Sequence, residues 1–201
     1  MGATLLTDER TAVFSAAETN AIKALSLAPD HAVAHMVLGI GYIHTNRATQ
    51  GIAECTQALV LNPNLADAHT AIGWGKCAMG QAGETEAHVL EALRLSPRDI
   101  RAYSWMYCVG RAKIQLDADA EAAAWLRRSI ETNRNYPLAH FALAAALALS
   151  GALDEARSAA KAGLSLNPGF TIRRMRASTT SDNPAYLAGL ERLRACEWLG
   201  F

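Results

Sequence analysis

Apolar and small residues recur along this chain in a fixed order, with a period of 34 residues that is broken once. The run Ala24-Leu25-Ser26-Leu27-Ala28-Pro29 returns as Ala58-Leu59-Val60-Leu61-Asn62-Pro63, as Ala92-Leu93-Arg94-Leu95-Ser96-Pro97, and later as Gly163-Leu164-Ser165-Leu166-Asn167-Pro168. The first two steps are 34 residues each, and the last is 71, which is 34 plus 37. A second column sets His35, His69, Tyr103 and His140 three residues before Leu38, Ile72, Met106 and Leu143. A third holds Asn46, Gly80 and Gly151, residue types that tolerate the left-handed backbone ending a helix. Each unit therefore reads as helix, turn, helix. Gly39, Gly73 and Ala144 fall midway along the first helix, and Ala58, Ala92, Ser129 and Gly163 near the end of the second, where two axes must approach closely. The prolines stand just past the second helix, which they cannot continue.

In this period and these columns the sequence resembles the tetratricopeptide repeat, whose early Trp position is His or Tyr here. The resemblance implies an all-α fold, a right-handed α-solenoid of antiparallel helix pairs with a C-terminal capping helix. The units read as a partial repeat at 1–31, full repeats at 32–65, 66–99, 100–136 and 137–170, and a capping segment at 171–201. The third unit is three residues too long and lacks both the turn glycine and the terminal proline, and the insertion is assigned to the turn near Ile114 to Asp119. After Pro168, Ser181-Asp182-Asn183-Pro184 offers cap residues followed by proline at a first helical position. A last helix with Leu187, Leu190 and Leu193 follows, expected to cover the open end of the array.

A narrower resemblance lies in Trp125-Leu126-Arg127-Arg128-Ser129-Ile130-Glu131, in Asn133-Arg134-Asn135-Tyr136-Pro137-Leu138-Ala139-His140-Phe141, and in Ser181-Asp182-Asn183-Pro184-Ala185-Tyr186-Leu187-Ala188-Gly189. These stretches are similar to the C-terminal repeat region of rhizobial-type signalling proteins that join a class III adenylate/guanylate cyclase or winged-helix domain to tetratricopeptide repeats. That likeness implies a regulatory or partner-binding role, with catalysis or DNA binding supplied by a domain outside this chain, and no active site to carry over. The chain opens inside a partial repeat, which fits either a fragment of such a protein or a short product of its own.

Composition agrees with close-packed helices: 51% of the 201 residues are apolar, 41 are alanine, the best helix former, and only 6% are aromatic. Lys plus Arg equals Asp plus Glu at 19 each, so no global field draws the chain onto nucleic acid or a membrane surface. The charge is uneven, however. Residues 1–99 carry 6 basic and 10 acidic side chains and residues 100–201 carry 13 and 9, a polarity that could steer self-association, as a homodimer for instance. Cys55, Cys77, Cys108 and Cys196 form no CxxC pair, no apolar run reaches the length of a membrane span, and the N-terminus lacks the basic start of a secretory signal. A cytoplasmic chain with reduced thiols is expected.

Candidate chemistry is sparse. His35, His69 and His140 belong to different repeats, about 10 Å apart at usual helix spacing, whereas zinc holds its ligands at roughly 2.0–2.3 Å. They are read as core-lining rings with hydrogen-bonded edges. Gly39-Ile40-Gly41 and Gly73-Trp74-Gly75 lie inside helices rather than at a phosphate-binding turn, and no GxSxG elbow is present. No metal, cofactor or enzymatic activity is expected; a cryptic catalytic site is the remote alternative. Function is expected instead on the first helices, which line the concave groove of such arrays. The partner-binding residues assigned there are Met36, Ile40, Ile43, Thr70, Trp74, Arg101, Ser104, Arg111 and Phe141. This apolar set with central arginines disfavours a carboxylate clamp and suits a protein or peptide partner presenting a helix or hydrophobic segment with an acidic residue. The protein's own missing N-terminal domain or its own last helix would fit the groove as well. A self-associating module is the alternative function.

Overall fold

The computed structural model of the chain describes residues 10–171, 173 and 181–192. Among these residues it forms α-helices and one 3-10 turn, with no strand. The helices are α1 (Arg10–Leu27), α2 (Ala32–His44), α3 (Ala48–Leu61), α4 (Ala66–Ala78), α5 (Thr85–Leu95), α6 (Ala102–Gln115), α7 (Asp119–Thr132), α8 (Pro137–Leu149), α9 (Leu153–Leu166) and α10 (Pro184–Arg192). They fall into two compact units: α1 to α5 with residues 181–183, and α6 to α9 with α10. Leu193 and Cys196, which the sequence singles out, lie outside the described residues.

Each helix pair closes through a three-residue turn, at 45–47, 79–81, 116–118 and 150–152. The central residue takes a positive φ every time: Asn46 (61°), Gly80 (81°), Asp117 (59°) and Gly151 (84°). The next residue's N–H then reaches five residues back, as in Arg47 to Tyr42 (2.9 Å), Gln81 to Lys76 (2.8 Å), Ala118 to Lys113 (3.0 Å) and Ala152 to Leu147 (2.9 Å). This is the Schellman closure, which satisfies carbonyls that the helix end would leave open. The third turn has its left-handed residue after all. Asp117 supplies it, since Asp can stabilise that conformation through its short polar side chain.

The turn at 116–118 is therefore no longer than the others, and the expected insertion near Ile114 to Asp119 is not there. The three extra residues precede the third pair: the connection 96–101 has six residues where 28–31, 62–65 and 133–136 have four, and α6 begins one residue early. The glycines confirm the corrected alignment. A Cβ on Gly39 would sit 2.5 Å from Cys55 Sγ on α3, and one on Gly110 would sit 2.5 Å from Leu126 Cγ on α7. Gly110, not a residue three positions earlier, is thus the counterpart of Gly39 and Gly73, and Met106 rather than Tyr103 shares the column of His35 and His69.

In the first unit the core is built on small side chains. Ile43, Cys55, Ala58, Ala68, Ala71 and Ile72 form one buried cluster. α2 and α3 cross glycine against glycine, because a Cβ on Gly51 would fall 2.5 Å from Gly39 O. Thr85 is fully buried and donates to Gly73 O (2.9 Å), so its hydroxyl is satisfied at the α4–α5 crossing. The second unit repeats the device with Ser129, also fully buried, donating to Tyr103 O (2.6 Å).

Candidate interaction surface

The histidine column does the structural work expected of it in two of its three places. His35 donates from Nε2 to Pro29 O (2.9 Å), and His140 donates from Nε2 to Arg134 O (2.9 Å), each bracing the loop before its helix. His69 lies 6.1 Å from His88, and its Nδ1 is buried without a hydrogen-bond partner. Among the described residues no group of three His, Cys, Asp or Glu side chains is arranged to hold a metal ion. Burial pushes the Cys55 thiol up to about 12, with the Glu54 charge adding to it. That thiol is no nucleophile at neutral pH.

On the first helices of the first unit, Met36 and Ile40 stand one helical turn apart on α2, and Trp74 stands on α4; all three are half-buried and pack on the core cluster. Ile43 belongs to the cluster itself at 1% exposure, and Thr70 is buried with its hydroxyl donating to Asp67 O (3.0 Å). The assigned strip therefore divides into Met36, Ile40 and Trp74, which keep surface, and Ile43 and Thr70, which the core absorbs.

In the second unit the shifted alignment moves the columns. Arg101 lies before α6 at its N-cap position and pairs with Asp99 (3.5 Å), and Ser104 donates to Arg101 O (2.8 Å). Arg111 is 8% exposed and donates to the Tyr107 hydroxyl (3.4 Å). Phe141 is 4% exposed, stacks on Phe170 with ring centroids 3.6 Å apart, and lies where a Cβ on Gly163 would clash. Arg111 and Phe141 are thus interior groups of this unit. The sequence passed over Tyr107, which takes the column where Met36 and Thr70 stand. Its ring meets Tyr136 edge-on at 5.4 Å. Burial raises the Tyr107 phenol, with Tyr186 and Cys108 adding to the rise and Arg111 opposing it.

The last helix packs chiefly against α6. Tyr186 and Leu190 are 5% and 4% exposed, and Gly189 approaches closely enough that a Cβ there would lie 3.1 Å from Gln115 Cβ. Arg192 donates to Asp119 Oδ1 (3.1 Å) and Oδ2 (2.9 Å), pairs through Nε with Asp117 (2.8 Å) and donates to Ile114 O. In the first unit, the residues ahead of α10 close the end of α4. Ser181 donates to Ala78 O (2.6 Å) and Asn183 Nδ2 to Met79 O (3.1 Å), satisfying carbonyls at the end of α4.

These helix pairs define a tetratricopeptide-repeat-like α-solenoid fold. Solved structures with the same fold include PilW, a type IV pilus biogenesis factor (21% identity, 94% of this chain and 84% of that one, TM-score 0.73). Others are a thermophilic TPR protein of Thermus thermophilus (18% identity, 89% and 91%, TM-score 0.68) and YrrB, a TPR protein with an unusual peptide-binding site (21% identity, 89% and 94%, TM-score 0.59). At such identities the likeness is one of fold. No family model matches the chain, and no curated protein matches it. Among the described residues no helix is long and apolar enough to cross a membrane.

Proposed function

We propose that this chain is a non-enzymatic protein-interaction module that binds a helix or hydrophobic segment on the faces of its first helices. The observation that carries the reading is the half-buried strip of Met36, Ile40 and Trp74 over the α2–α4 core. A Trp flanked by flexible aliphatic side chains is the kind of anchor that supplies most of an interface's energy. The fold shared with YrrB, whose site is peptide-binding, supports a peptide or protein partner. The stretches around Trp125 and Ser181 support a place in a bacterial signalling protein, in the cytoplasm, with the module regulating a cyclase-type or winged-helix domain.

The test is calorimetry with a partner captured by the purified chain. Trp74→Ala should weaken binding by about 2 kcal/mol, and Gln57→Ala on the exposed side of α3 should leave it unchanged. Unchanged affinity in a folded Trp74→Ala chain would move the contact elsewhere. Self-association is the second reading, favoured by Leu27 at 80% and Ile100 at 86% exposure. Light scattering coupled to size exclusion separates the two.

A further inference from the structure

We propose that the α6 face covered by α10 is a helix-binding site whose resident ligand is α10, and that a partner helix presenting Tyr, Leu and Arg at the α10 spacing binds by displacing it. This rests on the reading that first-helix faces are the interaction surface, and it adds what one of those faces recognises. α10 sets Tyr186, Gly189 and Leu190 on one side, at the i, i+3, i+4 spacing of a helical stripe, and leaves Leu187, Ala188 and Glu191 exposed on the other. α10 buries that stripe against α6, so leaving the face would expose Tyr186 and Leu190.

Arg192 gives the contact its specificity. Arg192 meets both oxygens of Asp119, one oxygen of Asp117 and the Ile114 carbonyl at the α6–α7 turn. Neither acid recurs in the other three turns. The positions equivalent to Asp117 are Asn46, Gly80 and Gly151, and those equivalent to Asp119 are Ala48, Ala82 and Leu153. A general-purpose turn needs only a residue that tolerates positive φ, so the acid at Asp117 adds something the turn does not require: a guanidinium acceptor. The third turn is built to receive an arginine, and α10 brings one. Because Arg192 and Asp117 both remain partly exposed, the anchor is open to competition from a second guanidinium.

The experiment uses the full chain and a fluorescein-labelled peptide of residues 181–192, followed by fluorescence anisotropy. Two variants release the resident helix without touching the site, Arg192→Ala and Tyr186→Ala with Arg192→Ala. Circular dichroism and thermal melts establish that both fold. The peptide should bind the Arg192→Ala chain at least ten-fold more tightly than wild type, and the double variant more tightly again. A peptide with its arginine replaced by alanine should lose that gain. Equal binding to wild type and both variants, or binding to none of them, overturns the proposal. Trp74→Ala should leave the peptide's affinity unchanged, so a failed peptide titration removes the α10 site alone, and a failed partner measurement at Trp74 leaves the peptide result standing.

Discussion

His35 has an acceptor at each ring nitrogen, Glu54 Oε2 at 2.6 Å from Nδ1 and Pro29 O at 2.9 Å from Nε2, and only the doubly protonated ring can donate to both. Burial disfavours that charge, but the bonds to Glu54 and Pro29 outweigh it and the pKa rises. His69 and His88 go the other way: burial lowers both, and for His88 the neighbouring His69 adds to the fall, while Glu91 opposes the shift at His69. The signs for stability follow by linkage. The His35 contribution is fully present below the unfolded value of about 6.5 and is lost as pH rises through the higher folded value. For His69 and His88 the unfolded chain takes protons first, so stability falls as pH drops through about 6.5 towards the lower folded values. Urea unfolding at pH 5.5 and pH 8 should show these opposing terms. His35→Gln should make the chain lose more stability on acidification than wild type, and His88→Gln should make it lose less. Identical pH dependence in all three proteins would separate the imidazoles from stability altogether.

At the scale of the helix pair, glycine sets how closely two axes approach, and the consequence can be measured. A methyl on Gly110 would overlap Leu126, which is fully buried and has no room to turn aside, whereas nothing lies within 4 Å of a methyl on Gly83 in the turn before α5. Gly110→Ala should therefore destabilise by about 1–3 kcal/mol through overpacking, and Gly83→Ala should stay within about 0.5 kcal/mol of wild type. Chemical denaturation in which the two behave alike would contradict the crossing geometry. Gly110 also shows how far the sequence could be read. The helix-turn-helix pairs and the left-handed turn residues were legible because each answers to a local rule, a period or a φ preference. The place of the three extra residues was not. The columns used for alignment, His35, His69 and Tyr103, admit any ring, whereas the constraint that fixes the third pair is a contact between Gly110 and Leu126 that only folding brings together. Had the turn column admitted aspartate, Asp117 would have given the right spacing, 37 from Gly80 and 34 to Gly151. The same slip moved Arg101 onto the surface strip and hid Tyr107. The burial of Phe141 was beyond the pattern for a related reason, since its cover, Phe170, comes from a loop after α9.

For the whole molecule the question is whether anything in it acts chemically, and the histidines and thiols decide the expectation. His31 Nδ1 accepts from Ala34 N (3.1 Å) at the start of α2, His44 stacks on Phe14 at 4.8 Å, and His140 braces the loop before α8. With His35 bound to Glu54 and His69 set against His88, each imidazole has a structural neighbour that would have to be given up to reach a metal. Cys55 and Cys77 are buried and Cys108 is partly so, and Cys55 holds its proton to about 12, which makes it a poor thiolate ligand. A site that bound zinc in the folded chain alone would raise its stability by mass action, so added metal should lift the melting temperature and a chelator should lower it. The purified chain is expected to do neither: its melting temperature should be the same with micromolar zinc, with EDTA and with no addition, and elemental analysis should find no stoichiometric metal. A rise of several degrees with zinc, lost in His69→Gln with His88→Gln, would place a metal site at the α4–α5 crossing and overturn the purely structural role given to these rings.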